Sequence, residues 1–307
     1  VRQLRGMFAI AVWDEPRGKL VLARDRLGIK PLYYGEIAGR LVFASELKAI
    51  LQLPWVKRDL NWNAVGNLLS SLTTPGDQSI IEHVRKLEPG HVLTASAGRP
   101  PAVHRYWDVE FEPDHRLSEP DCVEGLRSLL DESVRMHMVS DVPLGGFLSG
   151  GIDSSAVVAA MARHSATPVK TFSIGFPEAE YNEAPYARQV AGTFGTDHHE
   201  LILEPGALSI EDLAWHLDEP FGDSSALPTW MVSKLAAEHV TVSLSGDGGD
   251  ELFAGYDKYL VERKERRYRY IPAFMRRMMG ALGNSMAEGM KGRRFLQHIA
   301  LDGAERY

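Results

Sequence analysis

A chain of 307 residues with 44% hydrophobic and 24% charged residues has the apolar material for a packed core and is neither a disordered nor a low-complexity segment; at roughly 100–200 residues per domain, two domains are expected. Its formal net charge of -7 argues against a surface built to neutralise nucleic-acid phosphates or an anionic membrane. Its single cysteine, Cys122, excludes an intrachain disulfide or a cysteine-rich metal site, so a reducing, cytoplasmic setting is expected. No stretch approaches the roughly 20 apolar residues of a membrane helix. The start at Val1 is neither a signal peptide nor an initiator Met and reads as a cut edge.

In chain order, short apolar runs predict strands over residues 7–13, 19–24, 31–34, 41–44 and 91–94, with Gly18, Gly28, Gly39 and Gly98 as turn formers. One helix is expected over 61–72, capped by Asn61. A Pro/Gly/Ala-rich stretch follows at 95–101, and the charged stretch 111–120 reads as the linker, dividing residues 1–113 from 114–307.

Beyond the linker the period changes. A helix over 120–139 sets Leu126, Leu130, Val134 and Met138 on one stripe, with Cys122 as a small core residue. Apolar strands at 144–148, 169–174, 199–203 and 240–244 alternate with helices over 154–164, 183–194 (Asn182 as cap, Gly195 as stop), near 209–217, and over 227–238. Near-continuous apolar strands separated by helices imply an α/β fold with a parallel sheet covered on both faces. Ligands of such sheets bind at the carboxyl ends of the strands.

Two glycine loops fall at such ends. In Leu148-Ser149-Gly150-Gly151-Ile152-Asp153-Ser154-Ser155, the glycines let backbone amides approach an anion, the next helix adds its positive dipole, and three serine hydroxyls add donors. A Walker loop would need Lys where Gly151 stands, which disfavours a γ-phosphate-transferring enzyme. A tight strand-to-helix turn is the plainer reading of this loop alone. The second loop, Ser245-Gly246-Asp247-Gly248-Gly249-Asp250-Glu251, again follows an apolar strand. At about 4 Å, Asp153 and Asp250 would repel by about 4 kcal/mol at an effective dielectric of about 20. A divalent cation removes that cost, and Mg²⁺ takes one or two carboxylates together with substrate phosphates.

Ser149-Gly150-Gly151-Ile152-Asp153-Ser154 resembles the Ser-Gly-Gly-x-Asp-Ser pyrophosphate loop of the ATP-pyrophosphatase (PP-loop) family. With SGDGGDELFAGY at 245–256, the resemblance narrows to glutamine-hydrolysing asparagine synthetases. Arg5-Gly-Met-Phe-Ala, Ala23-Arg-Asp-Arg-Leu-Gly-Ile-Lys-Pro-Leu-Tyr-Tyr, Ala44-Ser-Glu-Leu-Lys, Ser140-Asp-Val-Pro-Leu and Asp218-Glu-Pro-Phe-Gly-Asp-Ser-Ser are similar to the same family. The resemblance implies an α/β, parallel-sheet, adenine-nucleotide α-hydrolase-like (PP-loop) domain, preceded by part of an N-terminal-nucleophile αββα glutaminase domain. It also implies activation of aspartate by ATP to β-aspartyl-AMP, followed by attack of ammonia.

Carried over residue by residue, Ser149, Gly150, Gly151, Asp153 and Ser154 would hold the β- and γ-phosphates. Leu148, Ile174, Ser245 and Gly246 would surround the adenosine, and Asp247 would assist formation of the acyl-adenylate. Asp153 and Asp250 would bind Mg²⁺. The family's glutaminase nucleophile is a first-residue Cys, where this chain has Val1, so the chain alone is expected to lack glutaminase activity. The family also continues past Tyr307. Partners expected are small molecules (ATP, aspartate, glutamine or ammonia) without nucleic acid or membrane, and a homodimer is left open.

Other features carry two readings at this point. Glu219, Asp223, Ser224 and Ser225 face an aspartate pocket or form an exposed acidic turn. His198 and His199 point to opposite faces of a strand and read as structural. The run Arg263, Lys264, Arg266, Arg267, Arg269, Arg276 and Arg277, interleaved with Glu262 and Glu265, reads as a solvated helix face. The stretch from Arg24 to Tyr34 is a candidate lining of the domain interface. Alternatives to aspartate amidation are a β-lactam-type synthetase, an amidotransferase acting on another carboxylate, and a non-catalytic nucleotide-binding module.

Overall fold

The computed structural model describes residues 1–203 and 210–301, except for the side chains of Ile210, Glu265, Arg267 and Arg269. The expectations at Ser209, Tyr307 and those side chains lie outside the described residues. The amino-terminal part comprises β1 (Ala9–Asp14), β2 (Lys19–Arg24), β3 (Tyr33–Ile37), β4 (Arg40–Ala44), α1 (Leu47–Ile50), α2 (Trp62–Ser71), β5 (Arg85–Lys86), β6 (His91–Ser96) and β7 (Arg99–Arg105). They form two antiparallel sheets, ordered β1-β2-β6-β7 and β4-β3-β5. Leu22, Leu32, Leu87 and Leu93 pack with Tyr34 and Leu41 between the sheets. Tyr33, Leu47, Ile50, Ile80, Ile81 and Val84 form a second core, under α1 and α2. Tyr33 and Tyr34, neighbours on one strand, thus enter different cores, as the period of two requires.

The Arg24-Asp25 motif fixes the turn between β2 and β3. Buried Asp25 accepts from the amides of Ile29 and Lys30, both at 3.0 Å, and Arg24 donates to the carbonyls of Gly28, Lys30 and Leu87 at 2.7, 2.9 and 2.6 Å. Of the stretch expected at the interface, Arg24 is therefore internal, whereas Tyr33 reaches across. Asn61 caps α2 by accepting from the Ala64 amide at 3.2 Å. The Pro/Gly/Ala-rich stretch 95–101, expected to follow the last strand, instead carries β6 into β7. Pro100 and Pro101 are tolerated there because β7 is a sheet edge and the β6–β7 register shifts opposite them, between Thr94 and Ser96.

The carboxyl-terminal part begins with α3 (Glu119–His137), started by a reciprocal Ser118/Asp121 capping box. There follow β8 (Leu144–Phe147), α4 (Ile152–His164), β9 (Lys170–Gly175), α5 (Ala184–Phe194), β10 (Asp197–Ile202), α6 (Ile210–Leu217), α7 (Ala226–Ala237), β11 (Val242–Leu244), α8 (Gly249–Phe253), α9 (Asp257–Glu265), α10 (Ala273–Ser285) and α11 (Arg293–Ala300). The stripe expected on α3 is corrected at its start. Leu126 is 43% exposed and Cys122 is exposed, while Leu130, Val134 and Met138 reach the core. The first half of α3 stands away from the sheet, so its apolar positions find nothing to pack on.

The sheet is parallel throughout, in the order β10-β9-β8-β11. Leu148, Val158, Ala187 and Ala191 seat α4 and α5 together, and Phe172 meets Ala236 and Val240 beneath α7, so both faces are covered. The chain lays down β8, β9 and β10 in one direction and then returns to place β11 on the other side of β8. The point between β8 and β11 is the topological switch, where sheets of this kind bind their ligands outside the carboxyl ends of the strands. Both glycine loops leave the sheet there. Among the described residues, no helix is long and apolar enough to cross a membrane.

Candidate active site

The first loop leaves β8 after the Leu148 amide donates to the Phe172 carbonyl at 2.9 Å. Gly150 has φ +85, and a methyl group there would fall 2.6 Å from the Ala187 nitrogen at the start of α5, so only glycine fits. The Gly151 amide donates to Ser149 Oγ at 3.2 Å, the Ser149 amide donates to Ser154 Oγ at 3.3 Å, and the two hydroxyls lie 2.9 Å apart. Two of the three expected hydroxyl donors are thus committed to the shape of the loop. Ser155 Oγ is buried and finds no partner among the described residues. No side chain caps α4 at Gly151. Its first-turn amides, which have no intrahelical acceptor, are left for an incoming anion.

The second loop lies directly on the first. A methyl group at Gly246 would fall 2.7 Å from the Ser154 nitrogen and 3.1 Å from Asp153 Cβ, and one at Gly249 would meet the Asp153 carboxyl group. Glycine at both positions is what lets the loops touch and brings Asp153 against the residue that precedes Asp250. Exposed Asp247 is oriented by Ser245, whose hydroxyl donates to Asp247 Oδ2 at 2.9 Å. Asp250 turns its carboxylate toward Gly255, where a side chain would collide with it. Tyr256 donates to Glu251 Oε1 at 2.5 Å, a bond that pushes the phenol up to about 12 and holds the Glu251 carboxyl below its ordinary range. Among the described residues, no group of three or more His, Cys, Asp or Glu is placed to hold a metal ion. A cation at this site would rest on Asp153, Asp250 and ligand oxygens.

The remaining candidates separate clearly. The Leu148 side chain is buried in the α4/α5 core, so only its backbone faces the loop, and Ile174 is half-buried near the end of β9. His198 sits between the hydroxyls of Thr171 at 2.9 Å and Ser173 at 3.2 Å, its pKa lowered by burial. His199 points to the other face and stacks on His239, with ring centres 4.0 Å apart. Asp223 accepts from the Ser225 amide at 2.8 Å, closing a local turn. Arg263, Lys264 and Arg266 are exposed, as a solvated face requires, whereas Arg276 departs from that expectation: it is half-buried and donates to the Leu301 carbonyl at 3.4 Å.

Glu219 departs from expectation. Its carboxylate accepts from the Ile80 amide at 2.7 Å, Thr74 Oγ1 at 3.0 Å and Tyr33 OH at 3.4 Å, and pairs with Lys86 Nζ at 3.4 Å. Every one of these partners belongs to the amino-terminal part. Sequence reasoning missed Thr74 and Lys86 altogether, since nothing local marks a residue whose partner lies more than 130 positions away.

Residues 125–306 match the asparagine synthase family, and residues 1–107 match the glutamine amidotransferase domain. Asparagine synthetase [glutamine-hydrolyzing] 1 of Bacillus subtilis is 35% identical over 99% of this chain and 48% of its own length. Asparagine synthetase [glutamine-hydrolyzing] 3 of the same organism is 36% identical over 83% of this chain and 44% of its own. The amidase chyE of Penicillium rubens is 32% identical over 85% of this chain and 41% of its own length. This chain therefore spans about half the length of the curated relatives it matches. A solved structure described as the allosteric regulatory enzyme of purine biosynthesis aligns with a TM-score of 0.19 at 19% identity, over 52% of this chain and 30% of that one, a likeness too slight to bear on the fold. With a parallel sheet whose switch point carries both glycine loops, and with the family match extending over that whole sheet, the chain belongs to the asparagine synthase family, and a glutamine amidotransferase domain precedes its synthase region.

Proposed function

We propose that the full-length protein converts aspartate to asparagine through β-aspartyl-AMP, using ATP and glutamine-derived ammonia. The observation that carries this reading is the meeting of the two glycine loops at the switch point, with the Asp153 carboxyl group against Gly249. The side-chain carboxylate of aspartate attacks the α-phosphorus of ATP, the bond to the bridging oxygen breaks, and pyrophosphate leaves. Ammonia then attacks the acyl carbon, AMP departs with the electron pair of the broken bond, and the nitrogen loses a proton. Carboxylate oxygen is a poor leaving group, which is why adenylation comes first.

The loop of Ser149, Gly150, Gly151, Asp153 and Ser154 holds the β- and γ-phosphates, where the departing charge develops, the Ser149 and Ser154 hydroxyls fixing its shape and the first-turn amides of α4 facing the anion. Leu148, through its backbone, joins Ile174, Ser245 and Gly246 around the adenosine. Asp247 stands beside the forming acyl-adenylate. The donor set fits Mg²⁺: Asp153 and Asp250 offer hard oxygen ligands, and neither forms an ion pair among the described residues. When bound, the ion would neutralise charge on the leaving pyrophosphate. Residues 1–113 serve glutamine hydrolysis and residues 114–307 serve the synthetase reaction, in a cytoplasmic setting.

The test is aspartate-dependent exchange of labelled pyrophosphate into ATP by the full-length protein. Wild type should exchange, and Asp153→Asn should lose the exchange by at least about a hundredfold, given that removing a single charge-stabilising group costs about 10²–10³. Retention by Asp153→Asn at saturating Mg²⁺ would refute the assignment. A second reading is favoured by the amidase-named relative, 32% identical over 85% of this chain: the same adenylation acting on another carboxylate. Exchange driven by a different acid and absent with aspartate would select it.

A further inference from the structure

Asp218 and Glu219 lie in the carboxyl-terminal part of the sequence, yet the amino-terminal part holds their carboxylates. Asp218 accepts from the amides of Leu47 and Lys48, the latter at 2.9 Å, and so caps α1 from outside. Glu46, at the cap position itself, makes no such bond. Lys48 Nζ lies 3.7 Å from Asp218 and donates to the Trp215 carbonyl at 2.9 Å, placing a cation at the negative end of α6. Further along, the Gly222 amide donates to the Leu72 carbonyl at 2.7 Å, and a methyl group at Gly222 would fall 2.9 Å from the Leu72 side chain. The segment 218–222 is therefore fastened at both ends to the amino-terminal part, and α7, which covers one face of the parallel sheet, starts at Ala226.

The charges are mostly withdrawn from water, and Lys48 is shared between Asp218 and the more exposed Glu46, which lies 3.2 Å from its Nζ. The side chains of Asp218 and Glu219 are 9% and 10% exposed, and those of their partners Lys48 and Lys86 are 22% and 16% exposed. Opening either pair leaves a desolvated charge, so the contact is either closed or costly to open. That is the property an element coupling two sites needs.

We propose that Asp218 and Glu219 are positioning residues through which the glutamine amidotransferase domain sets the segment 219–226 and the start of α7, so that glutamine-driven amide transfer requires both charge pairs closed. The proposal rests on the functional reading given above. In the full-length protein, Glu219→Gln and Lys86→Gln should each lower glutamine-dependent asparagine formation at least tenfold and raise the glutamate released per asparagine, while ammonium-dependent formation stays within twofold. The double variant Glu219→Gln/Lys86→Gln, which removes both charges together, should recover most of the loss. Equal falls with both nitrogen donors, or no recovery in the double variant, would overturn the proposal.

If wild type forms no asparagine from either donor, the functional reading fails and the joint is read by hydrogen exchange instead. Glu219→Gln should then speed exchange of both the Ile80 and Gly222 amides at least tenfold, and unchanged exchange at Gly222 would overturn the coupling. Should Glu219→Gln not fold, Thr74→Val, which keeps every charge but removes the hydroxyl that donates to Glu219 and accepts from Lys86, should shift the same readouts in the same direction. No shift there would overturn the proposal.

Discussion

Two pairs of acidic residues in the carboxyl-terminal part occupy opposite surroundings. Asp153 and Asp250 stand half-buried beside glycine loops at the switch point, without ion pairs among the described residues. Asp218 and Glu219 stand at the contact between the two parts, nearly closed from solvent, and each meets a lysine. A desolvated carboxylate has to be neutralised by the protein itself. One left beside open glycine backbone can wait for a ligand's cation. Residue type is shared between the pairs, and the supply of partners separates a binding site from a joint.

Removing one charge from each pair should have very different effects on stability. Glu219→Gln should cost about 3 kcal/mol, at the low end for breaking a buried pair, because Gln still accepts from the Ile80 amide while Lys86 is left without its counter-charge. Asp153→Asn should change stability by less than about 0.5 kcal/mol, since it disrupts no ion pair. Urea midpoints at equal m-value would read both. Similar costs at the two positions would mean that the unpaired carboxylate also holds the fold together, and the distinction would collapse.

A smaller effect should follow from Gly249→Ala. The new methyl group would meet the Asp153 carboxyl group, and the second loop would have to move or Asp153 to turn away. Overpacking of this kind costs about 1–3 kcal/mol, while pyrophosphate exchange should fall far more than stability does. Gly192, on α5, has nothing within 4 Å of an added methyl group, so Gly192→Ala is the control that should leave exchange unchanged.

The two regions also differ in how much of them the sequence makes legible. The glycine loops announce themselves because backbone close approach demands glycine and the chemistry is contiguous: residues 148–155 and 245–256 each follow directly on a strand and carry their own turn and helix start. The parallel order is readable from apolar runs separated by helices, and the caps at Asn61 and Gly195 from local preference alone. The joint is not readable in this way. Glu219 looks like an exposed acidic turn until Ile80, Thr74, Tyr33 and Lys86 arrive from the other part. The exposed first half of α3 and the Pro-containing edge strand β7 were missed for a related reason, since amphipathic spacing and proline content do not say what a segment will find to pack against.

The smallest effect probes the joint through Tyr33. Burial pushes its phenol above the ordinary value of 10.0, and the neighbouring Glu219 charge pushes it further in the same direction. A group whose pKa is raised on folding contributes stability that is fully present below the unfolded pKa, near 10, and is lost as pH rises toward the folded value. By about pH 10.2 the unfolded chain ionises readily while the folded phenol does not, which should cost about half a kcal/mol. Tyr33→Phe should remove that share of the alkaline slope while keeping the ring in the core it shares with Leu47 and Ile50. Glu219→Gln should lower the Tyr33 titration only part of the way, because burial, the larger cause, persists. Absorbance titration near 295 nm, with the Tyr33→Phe variant as the difference reference, reads this directly. A full return of Tyr33 to 10 in Glu219→Gln would mean that the contact had opened to water, and that the joint holds only as long as both of its charges are present.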